Sequence, residues 1–177
     1  RSQLLPLLGG AAVSGWKGPR AAHQDFQFPS VWIEVKTTLA KAPQAVRITS
    51  ERQLDDSHVP ALFLHVLTLE AVPGSPATLS AQVAELRTAL NAWPEAREQF
   101  EEALLDAGYL DHHGPRYAAS GYAVRRVDTF RVGPGFPRLV ESGMPPGVGD
   151  ACYQLTLSAC TAFAVDSQAI TAALKPN

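Results

Sequence analysis

Polar and apolar residues follow three different rhythms along this chain. Residues 23–28 and 31–37 alternate large apolar with polar side chains, the period of a strand. Pro29-Ser30 separates them, which predicts two antiparallel strands around a short turn. "AVRI" (45–48) predicts a third short strand, and "TSERQLDD" (49–56) a short helix capped by its hydroxyl residues. Residues 60–72, "PALFLHVLTLEAV", are nearly all apolar and rich in branched and aromatic side chains. That is the signature of a central strand buried on both faces. From Thr78 the rhythm becomes helical. Leu79, Val83, Leu86 and Leu90 form one stripe; Phe100, Ala103, Leu104 and Ala107 form the next, after Pro94 and before a stop at Gly108. Residues 117–132 predict one or two strands, and 133–149, dense in Gly and Pro, an irregular segment. Residues 151–163 predict another strand, and 166–174 a last helix with Asp166 as N-cap. Residues 4–13 read as the end of a helix or a loop, and 111–116 as a loop. The sum is an α/β fold, a mixed central sheet flanked by helices.

Composition narrows the class. A chain of 177 residues with 46% hydrophobic content is the size of one domain, 1–177, with a sizeable core. Its net charge of −2 supplies no overall basic field, so contact with nucleic acid has to rest on a local patch. No run of eighteen apolar residues predicts a transmembrane helix. The opening "RSQLLPLLGGAAVSG" is broken by Pro6 and too short for a signal peptide; it reads as a chain that starts within or just before a helix. Cys152 and Cys160 share one apolar segment. On a single strand at about 3.3 Å per residue they lie ~26 Å apart, too far to bridge. A reducing cytoplasm is the simplest setting.

Candidate chemistry sits in the first strand pair. If Pro29-Ser30 is a two-residue connection, residue 28 lies opposite 31, 27 opposite 32, and 25 opposite 34. Directly opposed residues share a face, with Cβ atoms about 4.5–5.5 Å apart. Asp25 and Glu34 then face each other, with His23, Trp32 and Lys36 on the same face. Gln24, Phe26, Phe28, Val31, Ile33 and Val35 take the other. Pro-Ser is not a favoured tight-hairpin turn, and a slip of one residue would separate the carboxylates. In register, two like charges meet, which destabilises the pair unless a cation neutralises them. Lys36 supplies one positive charge. A hard divalent ion such as Mg²⁺ would supply more, held by one or two carboxylates, a carbonyl such as that of Val35, and waters.

Asp25, eight intervening residues and then Glu34-Val35-Lys36 resemble the signature of the PD-(D/E)XK nuclease superfamily, although Gln24 stands where the motif has proline. The spacing alone is weak. Around it, "WKGP", "HQDFQF", "IEVKTT", "VRITSERQLD", "LFLHVLTLE", "FEEALLDAGYLD", "YAVRRVDTFRVGPGFPRL" and "PPGVGDACYQLTL" resemble a bacterial family of PD-(D/E)XK proteins linked to phage defence, from about Trp16 to about Phe163. The resemblance implies a restriction-endonuclease-like core and hydrolysis of DNA phosphodiesters with Mg²⁺ or Mn²⁺. Asp25 and Glu34 would hold the ion, Lys36 would orient the attacking water and stabilise charge on the phosphate, and Gln53 would be a further contact to water or DNA. It also implies an N-terminal region, with another acidic residue on a helix, that is missing or truncated here. DNA is the implied partner, with other defence-system proteins and a second copy of the chain as further candidates.

Two other readings stay open: a non-catalytic DNA-binding or scaffold module of the same fold, and an assembly domain using 133–149. Arg116, Arg125, Arg126, Arg131 and Arg138, interleaved with Tyr117, Tyr122 and Phe130, form either a phosphate-binding face or a mixed surface. His65, inside the buried strand, reads as a hydrogen-bonded core residue.

Overall fold

The computed structural model describes residues 4–40, 42–118 and 121–175. The chain gathers into two compact units: one from residues up to 22 together with 70–124, the other from 23–69 together with 125 onward.

The first unit is helical, with α1 (Leu4–Leu8), α2 (Ala11–Ser14), α3 (Leu79–Ala89), α4 (Pro94–Asp106) and α5 (Gly114–Ala118). Thr78 starts α3 by accepting the Ala81 N–H at 3.2 Å. Val83, Leu90, Phe100, Leu104 and Tyr109 form the core, and Trp16 packs on Phe100 at 5.9 Å. Most of the expected stripes are therefore inside. Leu79 and Ala107 are exposed instead, because one is the first residue of α3 and the other lies past the end of α4. The corner between α1 and α2 lies flat against α4. A Cβ on Gly10 would sit 3.0 Å from both Trp93 and Ala96. The expected loop at 111–116 is a 3-10 turn, Asp111–His113, running into α5.

The second unit holds β1 (Phe26–Gln27), β2 (Val31–Leu39), β3 (Ala45–Ile48), most of β4 (Ala61–Val72) and of β5 (Gly121–Val132), β6 (Tyr153–Thr156), β7 (Ala164–Val165) and α6 (Gln168–Leu174). Five strands form a mixed sheet in the order β1-β2-β4-β5-β7. β1 is antiparallel to β2, β2 runs parallel to β4 from Val31↔Ala61 to Leu39↔Leu69, and β7 is antiparallel to β5. Parallel neighbours need a crossover. Here β3 and a 3-10 turn, Glu51–Leu54, make it, with β3 pairing antiparallel to β6. The crossover lies over the sheet face that carries Trp32, Leu62, Leu64 and Val66; Val46, Ile48 and Leu155 close the core from above. Each such side chain taken fully out of water contributes about 1.5–3 kcal/mol.

The expected strand 151–163 is only half right. It is β6 followed by 3-10 turns over Leu157–Phe163. Leu157 and Cys160 are both buried, and a spacing of three suits a 3-10 turn, where positions i and i+3 eclipse. Ser30 Oγ donates to the Ala173 carbonyl at 3.0 Å, tying the β1–β2 turn to α6. Ser167 is the N-cap position of α6, and the Asp166 carboxylate accepts the Gln168 N–H at 2.7 Å.

Candidate active site

The hairpin register holds. Phe26 pairs with Ile33 and Gln27 with Trp32. Phe28 and Val31 exchange both backbone hydrogen bonds across Pro29-Ser30, at 2.9 and 3.3 Å. Continued outward, the same register sets Asp25 opposite Glu34. Beyond Phe26/Ile33 the next hydrogen-bonding rung would join residues 24 and 35. Instead the Val35 N–H donates to Asp25 Oδ2 at 2.8 Å. The carboxylate takes the place of a strand partner where β1 stops. A strand residue's N–H and C=O point to the same side, so the Val35 carbonyl also faces the edge occupied by Asp25.

Glu34 lies opposite Leu64 of β4 and is 1% exposed. Its Oε1 meets Lys36 Nζ at 2.7 Å. Its Oε2 is buried with no hydrogen-bond partner. Burial, and then the charge of Asp25, push the Glu34 carboxyl up to about 7; Lys36 and a backbone N–H of Asp25 pull the other way. Asp25 is also raised, by burial, with the Val35 N–H and Lys36 opposing. Lys36 Nζ donates to Gln53 Oε1 at 3.1 Å, and the same oxygen accepts the Thr49 N–H at 2.8 Å. Ser50 caps the turn that carries Gln53. Asp25, Glu34, Val35, Lys36 and Gln53 thus meet at one end of the hairpin. Trp32 shares the face but packs into the core. His23 is exposed.

Gln24 departs from expectation. The alternation assigns it to the face away from the carboxylates. Its amide instead reaches the Arg52 carbonyl at 2.7 Å and accepts from Gln27 Nε2 at 3.0 Å. β1 covers only Phe26 and Gln27, so strict alternation does not extend back to residue 24. A long amide between charged and aromatic residues was the available signal.

Three of the five arginines are engaged within the sheet unit. Arg126 binds Asp128 and Gln44, Arg131 binds the Pro60 carbonyl and lies 5.1 Å over the Phe63 ring, and Arg138 binds the Leu54 carbonyl and Asp56. His65 Nδ1 lies 3.0 Å from Thr129 Oγ1, and burial lowers its pKa, as suits a neutral core histidine.

A family model described as "Putative PD-(D/E)XK family member, (DUF4420)" matches residues 1–158. The chain belongs to this family. The mixed sheet, with Asp25 just before its first strand and Glu34-Val35-Lys36 on its second, is consistent with a PD-(D/E)XK-like core. No curated protein and no solved structure matches the chain. Among the described residues, no helix is long and apolar enough to cross a membrane. Nor, among them, do three His, Cys, Asp or Glu side chains converge as a metal site.

Two carboxylates with a backbone carbonyl beside them are still a hard-oxygen donor set. A buried carboxylate with one unpartnered oxygen, raised further by the charge of a second acid, is relieved by a cation. The residues present fit a divalent ion that keeps several waters, as Mg²⁺ does.

Proposed function

We propose that the chain is a Mg²⁺- or Mn²⁺-dependent endonuclease that hydrolyses DNA phosphodiester bonds, acting in the bacterial cytoplasm in defence or restriction. The observation that carries this reading is the Glu34 carboxyl, whose Oε2 is buried without a partner and whose pKa is raised by burial and by the charge of Asp25. A stability-driven core does not leave such an oxygen orphaned without reason.

In this reading Asp25 and Glu34 hold the ion, with the Val35 carbonyl alongside. The ion, when bound, acts as a Lewis acid toward the phosphoryl oxygens and activates water. Lys36 has one acceptor on Glu34 and one on Gln53, so its ammonium is fixed where charge on the phosphate would develop, and it needs no reorganisation to stabilise that charge. Gln53 holds that ammonium and leads toward Thr49.

Incubation of supercoiled plasmid with Mg²⁺ or Mn²⁺ tests the proposal. Cleavage is expected, is lost in EDTA, and falls on the order of 10²–10³-fold in Glu34→Ala and in Lys36→Ala. Intact plasmid with the wild-type protein under all metal conditions refutes it.

One contact favours a second reading, a DNA-binding or scaffold module without catalysis. Lys36 lies directly on Glu34 Oε1 at 2.7 Å, and an internal ion pair weakens the carboxylate as a metal ligand. Such a module would retard DNA without cutting it, with an affinity that falls steeply with salt.

A further inference from the structure

We infer that Gln24 is a positioning residue for this site: its buried amide pins the carbonyls of Arg52 and Gln53, and so fixes the side chain that receives the Lys36 ammonium. The inference rests on the nuclease reading of the site.

Gln24 is 2% exposed. Burying a flexible glutamine costs up to about 2 kcal/mol in lost rotamer freedom, and its amide must find partners. It does so in an uncommon way. Nε2 donates to the Arg52 carbonyl at 2.7 Å and, more weakly, to the Gln53 carbonyl at 3.4 Å, while Oε1 accepts from Gln27 at 3.0 Å. One side chain next to Asp25 therefore grips the backbone of a segment almost thirty positions later.

That segment needs an outside grip. Glu51–Leu54 is a 3-10 turn of four residues, too short and too weakly bonded to set its own orientation. Two of its other anchors are Glu51, which accepts the Ala151 N–H at 2.8 Å, and the Leu54 carbonyl, which Arg138 binds. Gln24 instead couples the turn to the end of β1, where Asp25 sits. Asp25 and Gln53 are thereby held in one frame, and Lys36 is held between Glu34 and Gln53. If the turn tilts, Gln53 leaves Lys36 and the ammonium is left to Glu34 alone, quenching the carboxylate that the proposed reaction needs. The residue standing in place of the motif's proline thus acts at a distance on the lysine.

Gln24→Met keeps the length and burial but loses both donors. Gln24→Glu keeps the length and the acceptor for Gln27, and also loses them. In plasmid cleavage with Mn²⁺, each is expected to lower kcat about 10–100-fold, the usual scale for residues supporting a metal site, with KM for DNA within about twofold. Gln53→Ala should add less than about twofold in the Gln24→Met background, because both changes remove one linkage.

Amide hydrogen exchange supplies a readout that needs no activity. The Thr49 N–H, held by Gln53, should exchange faster in Gln24→Met, while strand amides such as those of Ile33 and Val66 keep their wild-type rates. A purely structural role would accelerate all of them together. The inference is overturned by unchanged Thr49 protection, by effects of Gln24→Met and Gln53→Ala that multiply, or by failure of both Gln24 variants to fold. If wild-type protein cleaves no DNA, the nuclease reading falls, and the Thr49 exchange still decides whether Gln24 positions Gln53.

Discussion

Two clusters in this protein use the same kinds of side chain and reach opposite electrostatic outcomes. In the helical unit, Arg87 grips Glu101 at 3.0 and 2.7 Å and Asp111 at 2.8 and 2.9 Å, each through two hydrogen bonds. Arg97 adds a contact to Glu101 at 2.8 Å and another to the Arg87 carbonyl. Two guanidinium groups meet two carboxylates, and the bonds to Arg87 hold both acids below their usual range. In the sheet unit, two carboxylates share one ammonium, both acids are raised, and one oxygen has no partner. The first cluster is complete as it stands. The second lacks a positive charge. Bidentate arginine pairs of the first kind fix elements to one another; here they join α3, α4 and the turn at 111–113. An uncompensated pair of buried acids destabilises the fold around it, so its persistence points to a ligand or a reaction.

The largest expected effect separates the two clusters by activity. Glu34→Ala should remove cleavage on the order of 10²–10³-fold while leaving the melting temperature close to that of wild type. Arg87→Met should do the reverse, leaving the cleavage rate within about twofold. Equal losses of activity from both variants would mean that cleavage only reports folding, and the contrast between the clusters would collapse.

Next in size is the response to pH. The Glu34 carboxyl stands at about 7 in the folded protein against an ordinary value of 4.5. A carboxyl raised by folding binds its proton more tightly in the native state, so stability falls as pH rises from about 4.5 through 7. Glu34→Gln should therefore stabilise metal-free protein by about 2 kcal/mol at pH 8, less than the full shift implies because the new amide NH2 is buried beside the Lys36 ammonium. Near pH 4 the gain should vanish. Urea unfolding at the two pH values checks it; a gain of equal size at both would show that repacking, not charge, is responsible. Mg²⁺ should act in the same direction. At one hundred times its Kd it adds about 2.7 kcal/mol, or roughly 5–10 °C for a chain of this size. The shift should be greater at pH 8 than at pH 5, where protons compete for the same oxygens. Thermal melts with and without Mg²⁺ that coincide at pH 8 would remove the cation from the account.

The arginine cluster carries the opposite sign. Glu101 and Asp111 are lowered on folding, so their contribution is present above the ordinary carboxylate range and is lost as pH falls through the folded values. Its members are partly exposed, which limits the cost of Arg87→Met to about 1–2 kcal/mol, on the scale of a surface network. That cost should shrink on acidification below pH 4, read from the same urea titrations. A cost that persists there would come from the lost packing of the arginine stem.

Why one cluster could be read from the chain and the other could not is a matter of distance along it. Asp25 and Glu34 lie on either side of a two-residue turn, so a period of two fixes their common face once the turn is placed. Lys36 follows by the same parity. Gln53 requires knowing that the crossover lies over that face, which nothing local in "TSERQLDD" states. Gln24 escapes the alternation because β1 is two residues long and the strand period does not reach back to it. Arg87, Glu101 and Asp111 come from two helices and a turn, and no periodicity links them. At the level of elements, the long apolar run of β4 and the stripes of α3 and α4 were plain, whereas residues 157–163 carry too few large side chains to distinguish a strand from a 3-10 turn.

The smallest effect isolates the contact between the two acids. Asp25→Asn removes one charge but keeps an oxygen able to accept the Val35 N–H, which Asp25 now accepts at 2.8 Å. The end of β1 should keep its geometry. Without Asp25's charge, one of the two causes that raise Glu34 disappears, leaving burial as the dominant one. Metal-free Asp25→Asn should then be more stable than wild type by about 1 kcal/mol at pH 8, a smaller gain than from Glu34→Gln because burial of Glu34 remains. Its Mg²⁺-dependent melting shift should be largely gone, since one of two carboxylate ligands is lost. Asp25→Ala separates the two roles of the side chain: it also removes the charge, but leaves the Val35 N–H without its acceptor and should forfeit the gain. If Asp25→Asn and Asp25→Ala are equally stable, the hydrogen bond to Val35 is not what places the acid, and the orientation of Asp25 toward Glu34 must have another cause.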